Sequence, residues 1–384
     1  MAQTTAPKTE MQNEKPAAKK RRGYYRVWGW KWRILTGVLV ILIAARLYLP
    51  TWLLHYVNRK INEMPGYSGY VQDIEVSLWR GAYVIRKIDI FKSEGKVPVP
   101  FFSSETVDLS VQWKALFEGA LVGNMELGSP KINFVKGPTK AQRQVGVGKP
   151  WVDQIKQLFP LKINRFHVDN GEIHYRDFFS NPKLDMVISD VYMTTTNITN
   201  SQKLSKSEVA TIHAEGKPMH TGSIKTDVSF DPYQSDPTFK LKLEVADLPL
   251  TALNDLTRAY ALFDFESGKF DMATEMNASG GSFSGYVEPV FDHMRILSLQ
   301  KDIKNPVKLV WEGLLEGVGI LLRNQPKDRF ATRVPLSGSF KNPHEAVLST
   351  IGNVFKNAFI HVFTGKVPGS IDVHDVYEKQ APKE

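Results

Sequence analysis

Over most of the chain between residues 66 and 290 apolar and polar side chains alternate with a period of two. "DIEVSLW" puts Ile74, Val76 and Leu78 on one face, "TVDLSVQW" does the same with Val107, Leu109, Val111 and Trp113, and "TFKLKLEVADLPL" sets Phe239, Leu241, Leu243 and Val245 against Lys240, Lys242 and Glu244. Alternation of this kind marks strands with one buried and one wet face, the habit of antiparallel sheet. Turn residues separate the strands at "SEGK", "LGSP" and "SGG". In "RFHVDNGEIHYRD" the Asn170–Gly171 pair signals a type I′ hairpin. That turn sets Phe166 opposite Tyr175, His167 opposite His174, Val168 opposite Ile173 and Asp169 opposite Glu172. The apolar pairs share one face and the polar pairs the other.

Helical spacing replaces alternation in three stretches. "PLTALNDLTRAYALF" aligns Leu250, Leu253, Leu256 and Ala259, and "NPVKLVWEGLLEGVGILLRN" aligns Val307, Val310, Leu314, Val318 and Leu321. "NPHEAVLSTIGNVFKNAFIHVFTG" gathers Val347, Ile351, Val354, Phe355, Phe359 and Phe363 on one side. This last helix either packs on the domain or docks on a membrane or in a partner's groove.

One apolar run stands apart from both periods. Residues 34–54 hold twelve Leu, Ile or Val and one charge, Arg46. Such a helix spans about 30 Å, the thickness of a bilayer's hydrocarbon core. Its aliphatic residues, at roughly −0.3 to −0.6 kcal/mol each, outweigh the roughly +2.5 to +3.5 kcal/mol of one central arginine. Arg46 either snorkels outward beside interfacial Tyr48 and Trp52 or pairs with an acidic group on another membrane helix. Leu42 and Ile43 stand where a cleavage site needs a small residue, so the run reads as an uncleaved anchor. "KKRRGYYRVWGWKWR" precedes it with seven basic and no acidic residues, which keeps the N-terminus cytoplasmic by the positive-inside rule. The expected organisation is a disordered basic tail over 1–33, a transmembrane helix over 34–54, an exported β-rich domain over 55–364 and a loose tail over 365–384.

Charge follows the same division. Residues 1–33 carry nine Lys or Arg against two Glu, so seven of the formal +9 precede the anchor and the remainder of the chain is nearly neutral. A basic footprint for nucleic acid is missing where the folded mass lies, and no nucleic-acid partner is expected. With no cysteine, disulfides, thiolate metal sites and thiol nucleophiles are all excluded.

The hairpin register would bring His167 and His174 together with Asp169 and Glu172, a geometry open to a surface metal; the ordinary alternative is an exposed polar face. No nucleophile elbow, P-loop, dinucleotide turn or H-E-x-x-H helix is present, and "GGSFSG" over 280–285 reads as a turn. Neither a catalytic residue nor a metal or other cofactor is assigned, and no enzymatic activity is expected.

The anchor ending in "RLYLP", then "YVNRKINEMPGYSGYVQDIEVSLWRGAYVIRKIDIFK", "VDLSVQWKALFEGALVGNMELGSPKINFV", "VDNGEIHYRD" and finally "VPLSGSFKNP" follow an order over roughly residues 45–345. In that order the chain resembles the AsmA-like superfamily of bacterial envelope proteins, in its branch of short members described as a domain of unknown function. The resemblance implies a fold that is mainly β with a few helices. An N-terminal transmembrane helix would be followed by an extended, curled antiparallel sheet forming a β-groove, with amphipathic helices near the C-terminus. It further implies residence in the bacterial inner membrane as a single-pass protein with the bulk of the chain in the periplasm. The implied function is binding or transfer of phospholipid or another lipid within the envelope. A dozen strands about 4.8 Å apart make a trough on the order of 60 Å. At that length a lipid-binding chaperone, an adaptor feeding a longer partner, or a multimer fits better than a stand-alone bridge. The lipid-facing residues would be Phe166, Val168, Ile173, Tyr175, Phe239, Leu241, Leu243, Val245, Phe270 and Met272. The alternation alone is equally compatible with a closed core. A non-enzymatic scaffold or assembly factor acting through envelope protein partners is the alternative function.

Overall fold

The computed structural model describes residues 24–77, 79–95, 97–112, 122–139, 141–144, 162–198, 209–231, 236–260, 263–298, 329–331 and 333–340. The predicted helices over 305–324 and 342–365, the chain before residue 24, the C-terminal tail, Leu78 and Trp113 lie outside the described residues. The protein is mainly β, as its alternation predicts, with an apolar helix at its start.

That helix, α1, spans Tyr24–Asn62 and contains Pro50. Contacts divide the chain into two units, Met1–Leu49 and Pro50–Glu384. In the first, Leu39, Ile41 and Leu47 stand exposed, as do Arg46 and Tyr48. Gly29–Asn62 is long and apolar enough to cross a membrane, and is the single such helix among the described residues.

In the second unit the helix runs beyond its predicted end at Leu54. Trp52 stays exposed and stacks on Tyr56 at 5.4 Å. Leu53, Leu54, Val57 and Ile61, spaced for one helical face, pack on the sheet, with Val57 and Ile61 buried. Beside them Asn58 and Asn62, four residues apart, face an edge strand's backbone. Asn58 Nδ2 donates to Val71 O (3.2 Å) and Val71 N–H donates to Asn58 Oδ1 (2.7 Å). Asn62 pairs with Gly69 in the same way, at 3.0 and 3.3 Å. Each amide supplies the donor and acceptor of a missing neighbouring strand, which blunts an otherwise open edge.

The strands are β1 (Tyr67–Ser77), β2 (Ala82–Lys92), β3 (Phe102–Val111), β4 (Val122–Gly128), β5 (Lys131–Lys136), β6 (Lys162–Asp177), β7 (Leu184–Ile198), β8 (Ala210–Pro218), β9 (Ser223–Phe230), β10 (Phe239–Pro249), β11 (Phe263–Ser279), β12 (Ser282–Ser298), β13 (Arg329–Ala331) and β14 (Val334–Ser339). They form one sheet in the order β1-β2-β3-β4-β6-β7-β8-β9-β10-β11-β12-β13, with β5 continuing β4 between β3 and β6, and β14 beside β12. Pairing is antiparallel except where β4 and β5 run parallel to β6. A 3-10 turn, Leu250–Leu253, and a short helix α2, Asn254–Tyr260, realise the helical stretch predicted around residue 250.

The predicted hairpin at Asn170–Gly171 is not formed. Residues 162–177 are one continuous strand, β6, and His167 and His174 follow one another along it instead of facing each other. Asn170 does adopt the positive φ (+54°) that its type favours, but in mid-strand. It belongs to a crease that crosses six successive positions of the sheet. Inward-facing residues change parity between Val71 and Ile74, Ile85 and Ile88, Ser104 and Val107, Leu127 and Ile132, Val168 and Ile173, and Ile188 and Met193. The register aligns each of these steps with the next. Lys87, Ser129, Asn170 and Asp190 take positive φ along it, at +50°, +48°, +54° and +50°. Ser129 N–H donates to Asp169 O and Glu172 N–H to Pro130 O, both at 2.8 Å, so the strands stay paired through the crease. Irregularities of this kind bend strands and raise their twist.

Candidate functional site: an apolar face half-buried in its middle

Directly paired residues point to the same side of a sheet, so the register traces one face from end to end. Starting from Ile74 it passes through Ile85, Val107, Leu127, Val168, Met193, Ala214, Thr226, Leu243, Thr274 and Val287 to Val334. All ten predicted lipid-facing residues lie on it. Phe166, Val168, Ile173 and Tyr175 share it although the hairpin is absent, because the crease shifts parity by one and restores them to one side.

Two closed cores occupy the ends of this face. One gathers Ile74, Ile85, Val107, Leu109 and Met125 under Val57 and Ile61, with Phe166 packed against it. The other gathers Val245, Leu250, Phe270, Met276, Phe283, Phe291 and Leu336, with Phe239, Leu241, Leu243 and Met272 packed against it. Seven of the ten predicted residues therefore belong to or border closed cores, and Val168 is buried outside them.

Between the cores burial is uneven: Leu184, Thr195 and Ala210 on this face are buried, while their neighbours are not. Ile173, Ile188, Ile212, Ala214 and Val228 are half-buried, and Tyr175 is 40% exposed. The opposite side of β8 and β9 carries Thr211, His213, Glu215, Lys225 and Asp227, all exposed. His213 and Asp227 pair there at 2.7 Å. Apart from the predicted Ile173 and Tyr175, the residues of this middle segment were missed; the alternation in "ATIHAEG" held the signal in Ile212 and Ala214.

The predicted metal-like group lies on the other face. His167 Nδ1 is 3.1 Å from Thr194 Oγ1. His174 instead sits between carboxylates, 3.1 Å from Glu172 Oε2 and 2.8 Å from Asp185 Oδ1, with Arg176 3.0 Å from Asp185 Oδ2. Burial pushes both carboxyls up, but hydrogen bonds from His174 and Lys131 on Glu172, and from His174 and Arg176 on Asp185, outweigh it and hold both below their usual range. Among the described residues no three His, Asp or Glu are grouped to hold a metal.

One polar cluster does lie at the edge of the apolar face. Tyr260 O–H donates to Asp177 Oδ2 at 2.5 Å, and Lys136 Nζ is 3.4 Å from the same oxygen and 4.3 Å from the Tyr260 ring centre. Burial and the Asp177 charge push the Tyr260 hydroxyl well up. Asp177 feels burial upward too, yet hydrogen bonds from Tyr260, the Phe179 N–H and Lys136 keep it below the usual carboxylate range. No protein-family model matches this chain, and a search of curated proteins finds none similar to it.

Proposed function

We propose that this protein binds the acyl chains of phospholipid on the half-open middle of its apolar face and helps to move lipid within a cell envelope. The observation that carries the reading is the continuity of one apolar face through the whole sheet together with its half-burial between two closed cores. An acyl chain leaving a bilayer costs about 0.8 kcal/mol per exposed CH₂, and an apolar surface that is neither filled nor fully wet returns that free energy. Bending at the crease takes the sheet out of a plane. The membrane-length segment of α1 supports single-pass anchoring, with the N-terminus cytoplasmic and the sheet in the periplasm of a bacterial inner membrane. Membership of the AsmA-like superfamily belongs to the same proposal.

The test is native mass spectrometry and lipid extraction on the full chain released from detergent. Stoichiometric phospholipid is expected in the wild type. Ile212→Asp places a charge on the half-buried middle of β8 and should lose the lipid while the far-ultraviolet circular dichroism is unchanged. A folded wild-type protein free of lipid would refute the reading.

A further inference from the structure

The helix α2 leaves the sheet after β10 and is held at both ends. On one side Asn254 Nδ2 donates to Phe265 O (3.0 Å) and Phe265 N–H donates to Asn254 Oδ1 (2.8 Å), while Arg258 grips Asp264 with two bonds of 2.7 and 2.9 Å. These contacts tie it to β11. On the other side Tyr260 reaches Asp177, the last residue of β6, whose other carboxylate oxygen is fixed by the N–H groups of Phe179 (2.9 Å) and Ser180 (3.1 Å). Laid flat, β6 and β11 would be five strand spacings apart, about 24 Å. A seven-residue helix covers only about 10 Å. One tyrosine side chain closes the difference only because the ends of these strands are drawn together. In crossing, α2 packs against β7, where Leu184 pairs with Asp177 and Met186 and Ile188 follow on the apolar face.

We propose that α2 is a strap closing one end of the open apolar face, and that Tyr260 is the positioning residue that latches it. Acyl chains then enter from the opposite end of the strands, near half-buried Phe230, and stop at the strap. Lys136 reinforces the latch by neutralising Asp177 and covering the tyrosine ring. This inference rests on the lipid reading above.

The test uses the full chain in phosphatidylcholine vesicles doped with an analogue bearing a diazirine on its acyl chain. After irradiation, adducts are mapped by peptide mass spectrometry, and amide exchange is followed over Asn254–Tyr260. Wild type should be labelled at Ile212 and Val228 and sparsely at Met186 and Pro218. Tyr260→Phe keeps the ring and loses the bond to Asp177; it should speed exchange in α2 and raise labelling at Met186 and Pro218 relative to Ile212 by about tenfold, the shift one charge-assisted hydrogen bond supports. Asp177→Ala should act in the same direction. Unchanged exchange in both variants would show that Tyr260 is no latch. Faster exchange with an unchanged labelling ratio would show that α2 closes nothing, leaving the lipid reading intact. Absence of labelling at all four residues in wild type would overturn the lipid reading itself.

Discussion

Asn58 is the side chain whose removal tests how this sheet ends. Asn58→Ala deletes two hydrogen bonds, of 3.2 and 2.7 Å, to the backbone of Val71, a residue only 4% exposed. Each bond contributes about 0.5–1.5 kcal/mol net, and groups shut away from water and left unpaired cost more, about 1–3 kcal/mol. The part-buried setting places the expected loss near 2 kcal/mol. Asn62 makes the equivalent pair to Gly69 in an exposed setting, where water replaces the amide. Asn62→Ala should therefore cost only about 0.5–1 kcal/mol. Hydrogen exchange resolved to single residues distinguishes the two. A 2 kcal/mol loss corresponds to about 30-fold faster exchange of the Val71 N–H, with Gly69 in Asn62→Ala accelerated only a few-fold. Equal effects at both sites, or no change at Val71, would refute the claim that a helical amide stands in for a missing strand.

Two further outcomes follow from named geometry. Gly268 has φ +126°, and a methyl there would meet Leu250 Cδ1 at 2.8 Å and Met294 Cα at 2.9 Å. Gly268→Ala should lower stability by about 2–4 kcal/mol in urea unfolding at constant m, whereas Gly280→Ala, with φ +58° and open space, should cost about 1 kcal/mol. Because Glu172 and Asp185 are held below their unfolded values, the stability they contribute is present above the ordinary carboxylate range and is lost as pH falls through their lowered values. Asp185→Asn should flatten the fall of Tm below about pH 4, where carboxyls titrate; a slope equal to wild type would refute the assignment.

Alternation and composition determined much of this protein by themselves. Period-two runs need only a sheet with one dry face, so β1, β3 and β10 and the inward residues Val107, Leu109, Leu241 and Leu243 were legible. The membrane-length apolar helix was legible as well. The crease was not, because Asn170–Gly171 states a need for positive φ, and a hairpin turn and a mid-strand crease meet that need equally well. Only the parallel neighbours β4 and β5, which carry their own break at Ser129–Pro130, decide for the crease. Which side chains of the apolar face are buried and which stay half-buried was likewise invisible, since period two records that a side chain faces inward and not what lies above it. Tyr260 and Asp177 stand 83 residues apart in the chain. Their bond exists because five strands and a helix bring them together, a long-range consequence that no local pattern encodes.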